Sequence, residues 1–220
     1  MKKFLNTIAA AGAVLLGAVS MSAHAGLVMM IDDLSTVGID YISPTISNDS
    51  PLAGPIVFSS ANWAFSATTG VGNGLSSVFG IDLNSIAASS NLGGTLRISL
   101  TQTDLNFGAD GGPLNVFAGI GGTTQGSISY SAWVDDANAA FGHGQQIFSG
   151  LSSGVFSDSG GVITTASDPF SLTLQVEINH VGKKLTSFDF GAGVPEPSSL
   201  ALISVTLLGA GFAARRRNKA

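Results

Sequence analysis

Cysteine is absent from all 220 residues. That excludes disulfide stapling, thiolate zinc sites and cysteine nucleophiles, so any folded domain must rest on its core or on bound metal. Positive charge is almost as scarce in the body of the chain. Between residues 26 and 193 the basic side chains are Arg97, Lys183 and Lys184, against twelve Asp and Glu177. Three cations against thirteen anions leave a net charge of −10 there, although the whole chain carries only −5, because six of its nine cations lie in the two ends. An acidic surface of this kind excludes nucleic acid and anionic polysaccharide as direct electrostatic partners. Divalent cations and neutral sugars stay open to it. Glutamate is rarer still, one against twelve Asp in that stretch. Asp favours turns and Glu favours helices, so the ratio points away from helical structure.

Both ends have the organisation of targeting segments. At the amino terminus Lys2 and Lys3 precede an apolar run from Ile8 to Val19 and a small-x-small site, Ala23-His24-Ala25. This predicts a signal peptide over 1–25 and a mature chain starting at Gly26. At the carboxyl terminus Val194-Pro195-Glu196-Pro197 leads into an apolar stretch and then Arg215, Arg216, Arg217 and Lys219. The 15 residues from Leu200 to Ala214 reach about 22 Å as a helix, against a hydrocarbon core of roughly 30 Å. Counted from about 198 to 214, the segment is a marginal transmembrane helix. The basic tail 215–219, with Arg215–Arg217 as a cytoplasmic stop, places the body outside the membrane, as the signal peptide also does.

The order Pro-Glu-Pro, short apolar helix, Arg cluster over 194–220 resembles the PEP-CTERM sorting domain of Gram-negative bacteria. The resemblance implies an exosortase as partner, which cuts near the motif and removes the helix. Val194, Pro195, Glu196 and Pro197 would then be recognition residues of a substrate. It also implies general secretion, a transient stay in the inner membrane, and a final place at the cell surface or in an exopolysaccharide matrix or biofilm. The two prolines fit this physically, since they hold an extended, non-helical segment at the membrane surface.

Residues 26–193 are one domain's worth of chain. Alternation of apolar and polar residues predicts strands at 96–100, 114–120, 128–134 and 170–178, with weaker strands at 28–31, 37–42, 56–59, 63–68, 146–148, 162–165 and 185–190. The apolar phase slips between Leu100 and Leu105, which predicts a bulge near Gln102–Asp104. Gly121-Gly122 and Gly160-Gly161 are expected as turns, and Ser85–Ser90 and Ala137–Ala140 as single helical turns. Eight to eleven one-sided strands predict an all-β fold, an antiparallel β-sandwich or jelly roll flanked by the signal peptide and the apolar helix.

Candidate chemistry is thin. Asp135, Asp136 and Asn138 leave a predicted strand together, and their oxygens suit Ca²⁺, but the closing Glu of a twelve-residue calcium loop is missing. Asp104, Asn106 and Asp110 form a second Asx-rich loop. Trp133 shares the polar face of its strand with Ser127, Ser129 and Ser131. It is either a stacking platform for sugars or plain core. His143 and His180 are the histidines available for a hydrolytic triad, and serines are too abundant for proximity in sequence to single one out. No enzyme, no cofactor and no defined metal site are expected. The favoured expectation is a structural surface or matrix protein; the alternative is a carbohydrate-binding module, calcium-assisted through the Asp135 loop.

Overall fold

The computed structural model describes residues 26–43, 46–47, 56–71, 78–106 and 113–195. The signal segment, Glu196, Pro197, the apolar stretch 198–214 and Arg215–Arg217 lie outside the described residues. Among the described residues all regular structure is strand, and no helix is long and apolar enough to cross a membrane. The strands are β1 (Gly26–Asp33), β2 (Tyr41–Ile42), β3 (Ile46–Ser47), β4 (Ile56–Ser59), β5 (Trp63–Val71), β6 (Val78–Ser90), β7 (Gly93–Leu105), β8 (Pro113–Asp135), β9 (Gln145–Thr165), β10 (Phe170–Val181) and β11 (Lys184–Pro195). Every pairing is antiparallel, as the alternation requires.

The strands form one sheet in the order β2-β1-β7-β10-β8-β11-β6-β5-β4, with β3 beside β1 and β9 beside β8. β8 creases it. Residues 127–135 of β8 pair with β10, whereas residues 117–124 pair with β11. At Gln125-Gly126 the strand leaves one neighbour for the next, and its register with β9 shifts at the same place. The sheet therefore folds into two halves that face each other. One holds β2, β1, β7, β10 and the second part of β8; the other holds β4, β5, β6, β11 and the first part. Gly126 sits on the crease because a Cβ there would collide with Asn179 O and lie 2.8 Å from His180 Cδ2.

The core fills the space between the halves. Leu96, Ile98 and Leu100 of β7, Ile128 and Val134 of β8, and Leu172, Leu174, Val176 and Ile178 of β10 come from one half. Ile81, Leu83, Ile86, Phe188, Phe190 and Val194 come from the other. The even-numbered faces of β8, β10 and β11 are the ones that alternation marks as apolar.

Several local expectations are revised: Ala137–Ala140 is not helical, and the strand expected at 37–42 is reduced to Tyr41–Ile42. Gly121-Gly122 and Gly160-Gly161 are not turns but lie within the long strands β8 and β9. Ser85–Ser90 is not helical. It belongs to β6, where a bulge at Ser85 (φ 52°) switches the buried set from Ile81 and Leu83 to Ile86 and Ala88, and Ser85 N–H donates to Asp189 Oδ1 at 2.5 Å. The expected slip in β7 is present: its register with β10 shifts between Phe170 and Leu172, and Asp104 adopts φ 58°.

Candidate functional site

Odd-numbered residues of β7, β8 and β10 point away from the core and build a polar outer face on the first half. Its cross-strand rows follow from the register: Asp32–Arg97–Glu177–Ser129, then Ser99–Gln175–Ser131, then Thr101–Thr173–Trp133. Arg97 donates from Nε and Nη2 to Glu177 Oε1, both at 2.8 Å, and Nη1 lies 3.9 Å from Asp32. Trp133 is neither core nor an open platform. It is half-buried, and the exposed imidazole of His143 stacks on it with ring centroids 4.1 Å apart. His143 arrives on the segment joining β8 to β9, which also crosses the start of β10, where Ser171 Oγ donates to Ala139 O at 2.8 Å. Ser99, Thr101, Ser171 and Thr173 are buried although they face outward. Small hydroxyl side chains at those positions were the sequence signal for a covered polar face.

The same segment carries Asp135, Asp136 and Asn138. Asp135 accepts from Ala137 N–H and Ala139 N–H, and Asp136 Oδ1 from Ser167 N–H. Asn138 pairs reciprocally with Asp104: Asp104 N–H donates to Asn138 Oδ1 at 2.8 Å, and Asn138 Nδ2 donates to Asp104 Oδ1 at 2.7 Å. Asp104 of the second Asx-rich stretch thus meets Asn138 of the first, while Asp110 lies outside the described residues. Their oxygens hold backbone and amide donors, which is turn-building chemistry. Among the described residues no group of three or more His, Asp or Glu is arranged to hold a metal ion.

The other histidine lies inside the crease. Gly126 N–H donates to Thr124 Oγ1, Thr124 and Thr186 hydroxyls meet at 2.6 Å, Thr186 meets His180 Nε2 at 2.7 Å, and His180 Nδ1 meets Ser90 Oγ at 2.9 Å. Ser90 Oγ in turn donates to Gly182 O at 3.0 Å. Because the Ser90 proton is committed to that carbonyl, Nδ1 must carry the histidine proton and Nε2 must accept from Thr186. The chain of donors runs in one direction and needs a neutral ring. Burial lowers the His180 pKa, and Lys184 lowers it further. Trp63 packs against the ring, with centroids 4.9 Å apart and planes tilted by 31°. Among the described residues no carboxylate bonds this ring, so the Ser90–His180 contact has no third triad member there.

On the outer face of the second half, Asp82 stands opposite Gly191 in the register. Burial, reinforced by the nearby Asp189, pushes its carboxyl up to about 6.

The carboxyl-terminal strand bears on the sorting segment. Val194 is buried in the core and Pro195 is the last residue of β11, paired with Val78. The boundary expected after residue 193 therefore falls inside a strand, and fold and motif share Val194 and Pro195. A family model described as the PEP-CTERM protein-sorting motif matches residues 193–217. The chain carries a PEP-CTERM sorting motif. That motif implies exosortase-mediated processing of an exported protein, with a membrane-anchored intermediate. No curated protein matches the chain. Among solved structures, the enzymatically active domain of bacteriophage CBA120 tailspike protein 4 overlays 61% of this chain and 19% of its own at a TM-score of 0.35 and 13% identity. TmCBM61 in complex with β-1,4-galactotriose overlays 60% of this chain and 88% of its own at 0.32 and 11%. The carbohydrate-binding module CBM36 in complex with calcium and xylotriose overlays 62% and 91% at 0.29 and 12%.

Proposed function

We propose that residues 26–195 are a non-catalytic structural domain, delivered by an exosortase to the cell surface or extracellular matrix of a Gram-negative bacterium, where it contributes to a biofilm. The observation that carries this reading is the absence of any linker between core and sorting motif. β11 passes through Val194, which is buried, directly into Pro195. A cut that removed Val194 would open the core, so cleavage is expected at or beyond Pro195, leaving the whole fold as the released product. Mass spectrometry of the surface form should find a carboxyl terminus between Pro195 and Leu200 and no peptide containing Arg215–Arg217. An intact basic tail on that form would refute the reading. The engaged Ser90–His180 pair supports the non-catalytic part.

One observation favours a second reading, a carbohydrate-binding module. Trp133 and His143 stack on a face lined with hydroxyl groups, which suits a neutral sugar. Calcium assistance fits poorly, because the Asp135, Asp136 and Asn138 oxygens already hold protein donors. A glycan array would show binding unchanged by chelator and lost in Trp133→Ala. Absence of binding to any neutral glycan would dispose of this alternative.

A further inference from the structure

We propose that two copies of this chain associate edge to edge through β9, continuing both halves of the sheet across a two-fold axis. Free strand edges are a hazard that proteins blunt with short strands, Lys or Pro. Here β2 and β3 have 2 residues each and β4 has 4, yet β9 has 21 and pairs, among the described residues, only with β8. Its sequence contains no Lys, Arg, Glu or Pro. The single acid, Asp158, accepts from Tyr130 Oη at 2.7 Å and is thereby turned toward the core. Leu151, Val155 and Ile163 are 75%, 86% and 69% exposed on the outward face. A domain of net charge −10 therefore presents one long edge with no ionised outward side chain. A second copy meets no like charge there, and the main-chain donors and acceptors of an antiparallel partner match by symmetry.

The crease explains why one contact can seal both halves. β9 folds with β8, so its first part edges one half and its second part the other. A Cβ added to Gly160 would lie 3.2 Å from Phe148 Cδ2, and Thr164 Oγ1 bonds Gln145 Oε1, so the two parts of β9 face each other. Ser149 and Ser159 thus lie one above the other. A two-fold axis perpendicular to the halves and passing near both residues sets β9 against β9 twice. The interface is closed, and the remaining short edges do not extend it.

The cysteine-free chain makes the test direct. In full-length protein held in detergent, single Ser149→Cys and Ser159→Cys variants should each form a disulfide-linked dimer under mild oxidation. The rate should be at least tenfold above that of Val57→Cys, a 70% exposed control on β4. Sedimentation velocity should show a dimer for the parent chain and a monomer for the double variant Ser149→Lys with Ser159→Lys, with the circular dichroism spectrum unchanged. Equal cross-linking at all three positions, a monomeric parent at tens of micromolar, or a dimer that survives the double lysine variant would each overturn the proposal.

Discussion

At the scale of single residues, His180 gives the sharpest expectation. Its pKa is lowered in the folded state, so between the folded value and the ordinary 6.5 the unfolded chain binds more protons. Stability is then fully present above pH 6.5 and falls as the pH drops below it. His180→Gln should flatten that acid limb in thermal melts, and should cost about 1–3 kcal/mol at pH 8 through Thr186 and Ser90 left without matched partners. A wild-type limb unchanged by the substitution would exclude His180 as its source. Asp82 acts in the opposite sense. With its carboxyl near 6, the folded state binds more protons than the unfolded state between about 4 and 6, so its contribution is lost as the pH rises through that range. Asp82→Asn is expected to raise Tm at pH 8 by about 2–4 °C and to leave it unchanged at pH 4. Trp63 offers a third check. Its Nε1 is buried without a partner. Trp63→Phe therefore removes a desolvated donor as well as volume, and should cost less than about 2 kcal/mol, below the usual penalty for truncating a buried aromatic. None of these three roles was legible in the sequence. His180 lies at an even position of an alternating strand, which marks it as inward, but Ser90 and Thr124 are distant in the chain and only the crease brings them to it.

At the scale of elements, glycine marks two different situations that look alike in the sequence. Gly126 and Gly122 face inward where strands approach closely, and a Cβ on Gly122 would collide with Ser187 O. Gly119 and Gly121 face outward, and a Cβ on either would meet its nearest atoms at ordinary distances of 3.6 and 3.7 Å. Gly121→Ala should therefore be neutral or stabilise by about 0.5–1 kcal/mol, whereas Gly126→Ala should destabilise by more than 2 kcal/mol, as read by urea midpoints. Equal midpoints for the two variants would remove the crease argument. The same distinction explains why paired glycines were expected as turns. Short strands of 6–8 residues with a turn between them and one long strand with flat glycines give the same alternation. Only the pairing of β8 with β9, β10 and β11 separates the two. The phase slip in β7 was legible, because it shifts buried residues from even to odd numbers within a single strand. The matching slip in β6 was missed, since Asn84-Ser85 also suits the start of a helical turn.

For the whole molecule, charge decides behaviour in solution. A body of −10 repels itself and its copies, so added salt should raise Tm and tighten the β9 dimer together, as sedimentation at about 0.05 and 0.5 M NaCl would show. A dimer that weakens with salt would require an ion-paired interface, which β9 does not supply. The sequence by itself determined the route and the class: targeting signals are linear, read by machinery that meets an extended chain, and alternation with Asp-rich turns specifies antiparallel strands from local residues alone. It also determined which face of each strong strand is buried. Only the tertiary structure decided where β8 changes partners, that His180 closes a buried proton-ordered chain, that His143 covers Trp133, and that the sorting motif begins inside the last strand. Each of those depends on contacts that follow from how the strands pair, and a linear pattern carries no record of which residues the crease will bring together.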